Sequence, residues 1–370
     1  MIDLVKYFLF LGTTGFGGPL SLIQQMRQYF VEDKKTIEPH LFDQAFTLIK
    51  AMPGPIAFQM AVFCGQHLRG RWGGALSGIA LIFPAFLMMI GMGLGYDVVS
   101  HNDYILKVLN GFQFAVAAII LMSLKSFVMQ NGDKPLFWLL LIIAGFLFFH
   151  DILPEPVIII GFGILAVSYY KLKQNKLPIL PAAGFLLFNN ERLVPLFKIC
   201  AYAGAFVFGT GLALIPILQK SFVAEYHWLD LQVFNDGVTF GQMTPGPVTI
   251  TATFLGFKIA GLVGAFVATI AIFSVPLFHI LTWFPKVLSW LAKQKWIQPF
   301  LLGATAAVVG VLLITIYRMN IVFLHLINFW IIFISSFIYL ILKPKTQVLW
   351  IVAYGGVMNL IILFATQNTI

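Results

Sequence analysis

Apolar runs of roughly 20 residues follow one another along the whole chain, with only short polar loops between them. A run of that length lets a helix cross a hydrocarbon core about 30 Å thick. Charged residues make up 10% of the 370 residues, whereas a typical soluble domain has about 25%. These features exclude a soluble globular protein. They predict an all-α polytopic integral membrane protein whose surroundings are the lipid bilayer.

The sequence contains two related halves. Phe16 and Phe208 are separated by 192 residues, and so are Pro53 and Pro245. Further pairs keep this spacing or depart from it by one residue, namely Gly12 with Gly204, Gly17 with Gly209, Pro84 with Pro276, Gly65 with Gly256, Gly70 with Gly261 and Gly73 with Gly264. We therefore expect an internal duplication, with a first repeat over residues 1–171, a linker over 172–192 and a second repeat over 193–370.

Each half divides into six apolar segments. They lie near residues 4–23, 40–64, 74–96, 104–129, 135–149 and 154–170, and near residues 196–218, 231–257, 261–284, 297–317, 321–342 and 347–366. Helices of this kind are broken where glycine and proline interrupt them. The segments therefore include both spanning helices and candidates for broken or re-entrant ones.

Basic residues gather in alternate loops, and the set of basic loops changes between the halves. The first half has Arg69, Arg71, Lys125, Lys134, Lys171, Lys173 and Lys176, and the second has Lys286, Lys293, Lys295, Lys343 and Lys345. Because basic loops face the cytoplasm, the halves are expected to be inverted repeats. Inversion requires an odd number of crossings, so we expect five spans and one re-entrant or broken element in each half. Lys258 and Arg318 do not fit this pattern.

Glycine and proline motifs interrupt the apolar segments at equivalent places in both halves. The first half has FGGP and MPGP, and the second has FGTG and TPGP. Proline removes a helical donor and glycine allows backbone angles closed to other residues, so these motifs predict helix ends near mid-membrane. A helix that starts after such a break directs free N–H groups and a positive dipole end into the break, which favours anion binding. Tight helix packing is the alternative use of the same small residues.

The motif FGGP followed by PGPIAFQMAVFCGQHLRGRWGG, with GQMTPGPV in the second half, resembles the chromate ion transporter family over nearly the whole chain. The resemblance implies inverted halves and a secondary transporter of the inner membrane that exports chromate. The family usually has glutamine where this chain has Lys50, Thr-Gln where it has Phe58 and Gln59, and FGG where it has Phe208, Gly209 and Thr210. These departures bear on which anion is carried.

The broken motifs supply the candidate binding site for a small inorganic oxyanion. The residues are Phe16, Gly17, Gly18, Pro19, Lys50, Pro53, Gly54, Pro55, Gln59, Phe208, Gly209, Gln242, Pro245, Gly246 and Pro247. The glycines are expected to bring the backbone close to the anion. Gln59, Gln242 and Lys50 are expected to supply side-chain donors, since an oxyanion offers only acceptors.

Three charged residues within apolar segments have two interpretations each. Lys50 is either the cationic partner of the anion or a lysine that reaches from a short helix to the interface. Asp43 and Asp236, one position apart in the repeat alignment, could carry a coupling proton. Since both lie near segment ends, we favour solvated carboxylates for them.

No enzymatic machinery is recognisable in the sequence. There is no Walker-type loop, and His67, His150, His279 and His325 lack the spacing of metal ligands. Cys64 and Cys200 are expected to be buried core residues. We therefore expect no catalytic residues, no metal and no cofactor.

Proton-coupled oxyanion transport is the function that the sequence favours. An anion channel, and a transporter of sulfate, molybdate or another small anion, are the alternatives that stay open. No nucleic-acid partner is expected, and whether the protein forms a homodimer is left open.

Overall fold

The computed structural model of the chain describes residues 1–16, 18–50, 52–100, 102–172, 192–207, 211–291, 293–344 and 346–367. Across these ranges the chain is helical and contains no strand. The first half contains α1 (Ile2–Thr14), α2 (Gly18–Arg27), α3 (Pro39–Ile49), α4 (Ile56–Val99), α5 (Asp103–Asn131), α6 (Pro135–Phe149) and α7 (Glu155–Leu172). The second half contains α8 (Leu193–Phe206), α9 (Leu214–Gln219), α10 (Leu231–Met243), α11 (Thr251–Thr282), α12 (Phe284–Leu291), α13 (Ile297–Asn320), α14 (Ile327–Leu342) and α15 (Val348–Gln367).

α4 folds back on itself instead of running straight. A Cβ atom on Gly65 would collide with the carbonyl oxygen of Gly73, although eight residues of straight helix would separate them by about 12 Å. The reversal occurs at Gly70, whose φ of 67° lies in the left-handed region that favours glycine. α4 is therefore a tight hairpin with a short arm, 56–69, and a long arm, 71–99.

α11 repeats this reversal in the second half. Gly261 has a φ of 60°, close to that of Gly70. Gly256 and Gly264 pack against each other as Gly65 and Gly73 do. The glycines that the sequence analysis placed in register thus mark the same turn in both halves.

Further hairpins bring chain breaks to the middle of the molecule. The Tyr7 ring stacks on Tyr29 at 3.9 Å between ring centroids, and its hydroxyl donates to the carbonyl oxygen of Gln25 at 3.0 Å. α1 and α2 therefore lie side by side, with the first glycine motif at their tip. In the second half Gly241 packs against Thr251, so α10 and α11 form a hairpin whose tip is the second PGP motif.

The two halves are inverted relative to each other. Gly74, near the start of the long arm of α4, packs against Leu281 at the end of α11, whereas Gly93 packs against Phe257 near the turn of α11. The two long arms therefore run antiparallel. The halves are also interlocked, because α6 and α7 pack on α13, while α14 and α15 pack on α5.

The apolar segments do not correspond one to one to helices, while the division into five spans and one re-entrant element per half stays a prediction. The apolar segment 4–23, for example, covers both arms of one hairpin rather than one span. Hydropathy cannot separate these cases, since both arms are apolar. Residues 173–191, which join the halves, lie outside the described residues.

Among the described residues, five helices are long and apolar enough to cross a membrane. They are Ile56–Val99, Asp103–Asn131, Val248–Thr282, Ile297–Phe323 and Val348–Thr366. Four shorter apolar helices accompany them, at Pro135–Phe149, Glu155–Tyr170, Leu193–Phe206 and Ile327–Leu342. The multi-pass membrane character predicted from the sequence is confirmed.

The two basic residues that departed from the loop-charge pattern are each paired with an acidic residue of the other half. Lys258 forms an ion pair with Asp97. Arg318 forms one with Asp151 at 2.9 Å. These pairs lie on the face opposite to Arg71, where acidic residues accompany the basic ones. The acidic partners explain how Lys258 and Arg318 are accommodated on this face, away from the face that carries Arg71.

The two cysteines are fully buried, as predicted. Cys64 lies on the short arm of α4 and Cys200 on α8. Over the described parts of the chain, no three residues among histidine, cysteine, aspartate and glutamate lie close enough together to hold a metal ion.

Candidate functional site

The hairpin tips of the two halves are joined by a reciprocal pair of backbone hydrogen bonds. The Gly54 N–H donates to the carbonyl oxygen of Val207 at 2.5 Å, and the Gly246 N–H donates to that of Gly15 at 3.2 Å. Gly54 and Gly246 are repeat equivalents, and so are Val207 and Gly15. Each PGP motif is therefore bonded to the glycine break of the opposite half. The two PGP motifs thus meet the residues that precede the glycine break of the opposite half.

Glycine is required at both donor positions. Gly54 has a φ of 127° and Gly246 a φ of 95°, conformations that other residues rarely adopt. The flanking prolines complete each tip. Pro55 and Pro247 have extended backbone immediately before α4 and before the helical turn that leads into α11. Pro53 and Pro245 precede the two glycines, so each tip is a short rigid segment between two helices.

Two helices begin at these tips and run away from them, so their N-termini face the tips. α2 begins at Gly18, directly after the first break, and α4 begins at Ile56, directly after the PGP motif. The first N–H groups of a helix have no partner within the helix, and its dipole is positive at that end. These two N-terminal ends favour an anion beside them, while α1, α3 and α10 end with their negative poles at the same breaks.

A cavity of about 230 Å³ lies between the first glycine break and the second PGP motif. Its walls include Phe16, Gly18 and Pro19 from the first half and Gln242 and Gly246 from the second. A water molecule occupies about 30 Å³ of liquid, so the cavity has room for a tetrahedral oxyanion with several waters. Five of the predicted site residues are thus brought together here.

Gln242 contributes the most informative polar group of this cavity. Its side-chain nitrogen is buried and has no hydrogen-bond acceptor among the residues that the structure describes. Buried donors are almost always paired, so this donor on a cavity wall is available to a water or to a ligand that supplies acceptor oxygens. The sequence predicted this residue and its donor role. Its lack of a protein partner became visible only in the fold.

Lys50 lines a different cavity from Gln242, although the two are repeat equivalents. Its ammonium group donates to the side-chain oxygen of Gln130 at 3.3 Å and lies over the ring of Phe46. The cavity beside it has a volume of about 50 Å³ and is also lined by Gln298 and Thr305. Lys50 follows the last residue of α3, where a cation interacts favourably with the helix dipole.

Gln59 is engaged within its own hairpin tip. Its side-chain nitrogen donates to the carbonyl oxygen of Pro53 at 2.8 Å, and the residue is completely buried. The structure therefore shows Gln59 holding the PGP motif in place. Three further predicted site residues, Gly17, Phe208 and Gly209, lie outside the described residues.

The two acidic residues that were predicted to be solvated have different environments. Asp43 is exposed and pairs with Arg27 at 3.1 Å, as expected of a surface carboxylate. Asp236 is completely buried, so the prediction is wrong for this residue. Its carboxylate accepts hydrogen bonds from the Tyr96 hydroxyl and the Gln113 amide, both at 2.7 Å. No sequence motif signals this cluster, since its members come from three separate helices.

Comparison with protein families agrees with the division of the chain into two related halves. A family model described as chromate transporter matches residues 2–167 and, a second time, residues 194–360. The chain belongs to the chromate transporter family. The double match of the chromate transporter model also reproduces the duplication that the structure shows as two inverted halves.

Individual chromate transporter relatives are similar over most of their length. The chain is 33% identical to a probable chromate transport protein of Synechococcus elongatus, over 83% of this chain and 81% of the relative. It is 34% identical to the chromate transport protein of Cupriavidus metallidurans, over 83% and 80%. An uncharacterized transporter of Methanocaldococcus jannaschii is 28% identical over 98% and 94%. No solved structure matches the chain.

Proposed function

We propose that this protein is a secondary transporter that exports chromate or a related small oxyanion, with proton coupling, through the cavity between its hairpin tips. The unpaired Gln242 donor in that cavity is the observation that carries the proposal. Chromate and sulfate are tetrahedral dianions whose oxygens accept hydrogen bonds. They match a site built from an amide donor and helix N-termini.

The inverted halves support transport by alternating access. In such proteins the substrate site lies at the interface of the repeats near mid-membrane, and one half moves relative to the other around it. Here the equivalent positions Lys50 and Gln242 line two separate cavities. The protein would alternate between two conformations, one with the cavity beside Lys50 open and one with the cavity beside Gln242 open. The anion would then have access to each face of the membrane in turn.

The positive charges on the face that carries Arg69 and Arg71 support export. Lys6, Lys34 and Arg69 line a broad cleft between α1, the segment after α2 and the turn of α4. Basic residues mark the cytoplasmic face of membrane proteins. A cluster of cations there would raise the local concentration of anions at the cytoplasmic entrance.

Flux measurements on reconstituted protein test this proposal. We expect saturable uptake of labelled chromate into proteoliposomes, competition by sulfate, and stimulation by a proton gradient. Gln242→Leu should lower the flux at limiting substrate by at least tenfold, because a hydrogen bond to a charged group contributes about 1.5–3 kcal/mol. The control is Gln294→Leu, which alters a half-buried glutamine in the loop before α13 that lines neither cavity, and it should leave the flux unchanged.

Two outcomes would contradict the proposal. Wild-type flux and affinity in Gln242→Leu would place the anion elsewhere. Flux that rises with substrate concentration without saturation, at rates beyond conformational cycling, would instead indicate a channel.

A further inference from the structure

We propose that Asp236 is the proton-coupling residue of this transporter, taking up and releasing one proton in each transport cycle. This inference rests on the transport function proposed above. It follows from the burial of a carboxyl group whose hydrogen-bond partners are all neutral, on the same helix as the anion-site residue Gln242.

The contacts of Asp236 define a closed cluster. Tyr96 on α4 donates to one carboxylate oxygen and Gln113 on α5 donates to the other, both at 2.7 Å. Gln232, one turn earlier on α10, donates at 3.4 Å and is also bonded to Asn110. Among the described residues the carboxyl group thus has three neutral donors and no cationic partner.

Burial without a cation makes the charge of Asp236 costly. An ionised carboxylate in a low-dielectric interior is penalised strongly unless a positive charge accompanies it. Neutral donors offset part of this penalty, so the ionised form is held in place but not neutralised. A proton supplies the missing positive charge most directly. The same site is therefore able to exist in two protonation states that differ in net charge.

The surrounding charged groups lie toward the face of the membrane that carries Asp97. Lys258 on α11 pairs with Asp97, and its ammonium group lies 5.0 Å from the centroid of the Tyr96 ring. Asp230, just before α10, is a further acidic residue near Tyr96. The Tyr96 ring therefore separates the buried carboxyl from an exposed, charged region. This arrangement gives the proton a short route between Asp236 and one aqueous face.

One proton moves from water to the Asp236 carboxyl group and back to water in each cycle. On uptake, one carboxylate oxygen of Asp236 binds the proton and becomes a donor. The Tyr96 hydroxyl then rotates so that its oxygen accepts that hydrogen bond instead of donating one. On release, the proton returns to water, and the Tyr96 hydroxyl donates to the carboxylate again. No electron transfer or further reactant is involved.

α10 connects this carboxyl to the anion cavity. Gln242 lies six residues beyond Asp236, about 9 Å along the helix axis, and α10 ends at the PGP tip. A change in the charge of Asp236 alters the hydrogen bonds from Tyr96 and Gln113 that hold α10 against α4 and α5. Because Gln242 lies at the end of α10, its position depends on these bonds. The repeat equivalent of Asp236 is Gln44, so the first half has no matching carboxyl. One proton site per chain follows from this asymmetry.

Asp236→Asn provides the central test, because asparagine keeps the size of the side chain but cannot exchange a proton. Full-length protein is reconstituted in proteoliposomes, and chromate flux is measured with and without a pH gradient, in sodium or choline buffer. A pH-sensitive dye inside the vesicles reports proton movement. Wild-type protein should show gradient-stimulated flux with chromate-dependent proton movement. Asp236→Asn should lose both, with at least a tenfold loss of the stimulation, while chromate still raises its melting temperature.

Two further variants separate a coupling role from a structural one. Asp43→Asn, in the adjacent repeat position but on the surface, should keep full gradient stimulation. Asp236→Glu should recover gradient stimulation with a shifted pH profile, which a merely structural carboxyl would not produce. If Asp236→Asn does not fold, the altered pH profile of Asp236→Glu still decides the question.

Several results would overturn the inference. Gradient-stimulated flux in folded Asp236→Asn, or an unshifted profile in Asp236→Glu, would exclude a proton role for this residue. Wild-type flux that requires sodium but not a pH gradient would show that another cation is coupled. Absence of any anion flux in wild-type protein would instead refute the proposed function itself.

Discussion

The reciprocal bonds at the hairpin tips predict unequal effects of the same substitution at two equivalent glycines. Gly54→Ala and Gly246→Ala each force a non-glycine residue into a left-handed conformation, at a cost of about 1–3 kcal/mol. Their surroundings differ. A Cβ at position 246 would lie 3.7 Å from Ala85 and Leu81, which is ordinary contact. A Cβ at position 54 would lie 2.7 Å from the amide carbon of Gln59 and still closer to its nitrogen.

Gly54→Ala must therefore displace the Gln59 amide from the carbonyl oxygen of Pro53. Leaving such buried polar groups unpaired costs about 1–3 kcal/mol. We expect Gly54→Ala to reduce the free energy of unfolding by about 2–6 kcal/mol, the sum of this cost and the backbone strain. Gly246→Ala should reduce it by only about 1–3 kcal/mol.

Melting of the purified variants in detergent, followed by tryptophan fluorescence, measures this difference. Gln59→Ala removes the colliding group, so the double variant Gly54→Ala with Gln59→Ala should be less destabilised than the sum of the two single changes. Equal losses at positions 54 and 246, or strict additivity in the double variant, would refute the reasoning from the tip geometry.

Three further predictions concern charged residues. Lys50→Gln should retain transport with a changed preference between chromate and sulfate, whereas Lys50→Glu should reduce flux strongly through repulsion of the anion; similar fluxes for both would remove Lys50 from the anion path. In the variants Arg71→Cys and Lys293→Cys, the new thiol should be shielded from an impermeant thiol reagent outside intact cells. Labelling of only one variant would contradict the inverted topology. Arg318→Lys should lower the melting temperature nearly as much as Arg318→Gln. Only the planar guanidinium group reaches both oxygens of Asp151 and the carbonyl oxygens at the end of α6. Full stability of the lysine variant would contradict this prediction.

Local chemistry explains which parts of the site could be predicted from the sequence. The chain breaks at Gly54 and Gly246 were recognisable because proline and glycine restrict or free the backbone at their own positions. The duplication was recognisable because these residues recur in register. Inversion followed from loop charges, and the exceptions Lys258 and Arg318 were explained only when their acidic partners appeared.

Other features depended on which segments pack together. The reversal at Gly70 leaves hydropathy unchanged, since both arms of α4 are apolar, so hydropathy alone does not locate this turn. The repeat of Gly65, Gly70 and Gly73 at Gly256, Gly261 and Gly264 was the available signal for that turn. Only the close approach of the two arms shows what those glycines do.

The sequence alone determined that the chain is a duplicated helical membrane protein broken at four places, because backbone preference and hydrophobicity belong to individual residues and short segments. Tertiary structure decided the roles of the charged and polar side chains. Asp236 is buried because Tyr96 and Gln113 arrive from helices more than 100 residues away, and Gln242 keeps a free donor because the opposite half leaves a cavity beside it. The free energy of a buried polar group depends on its partners, and partners distant in sequence are brought together only by the fold.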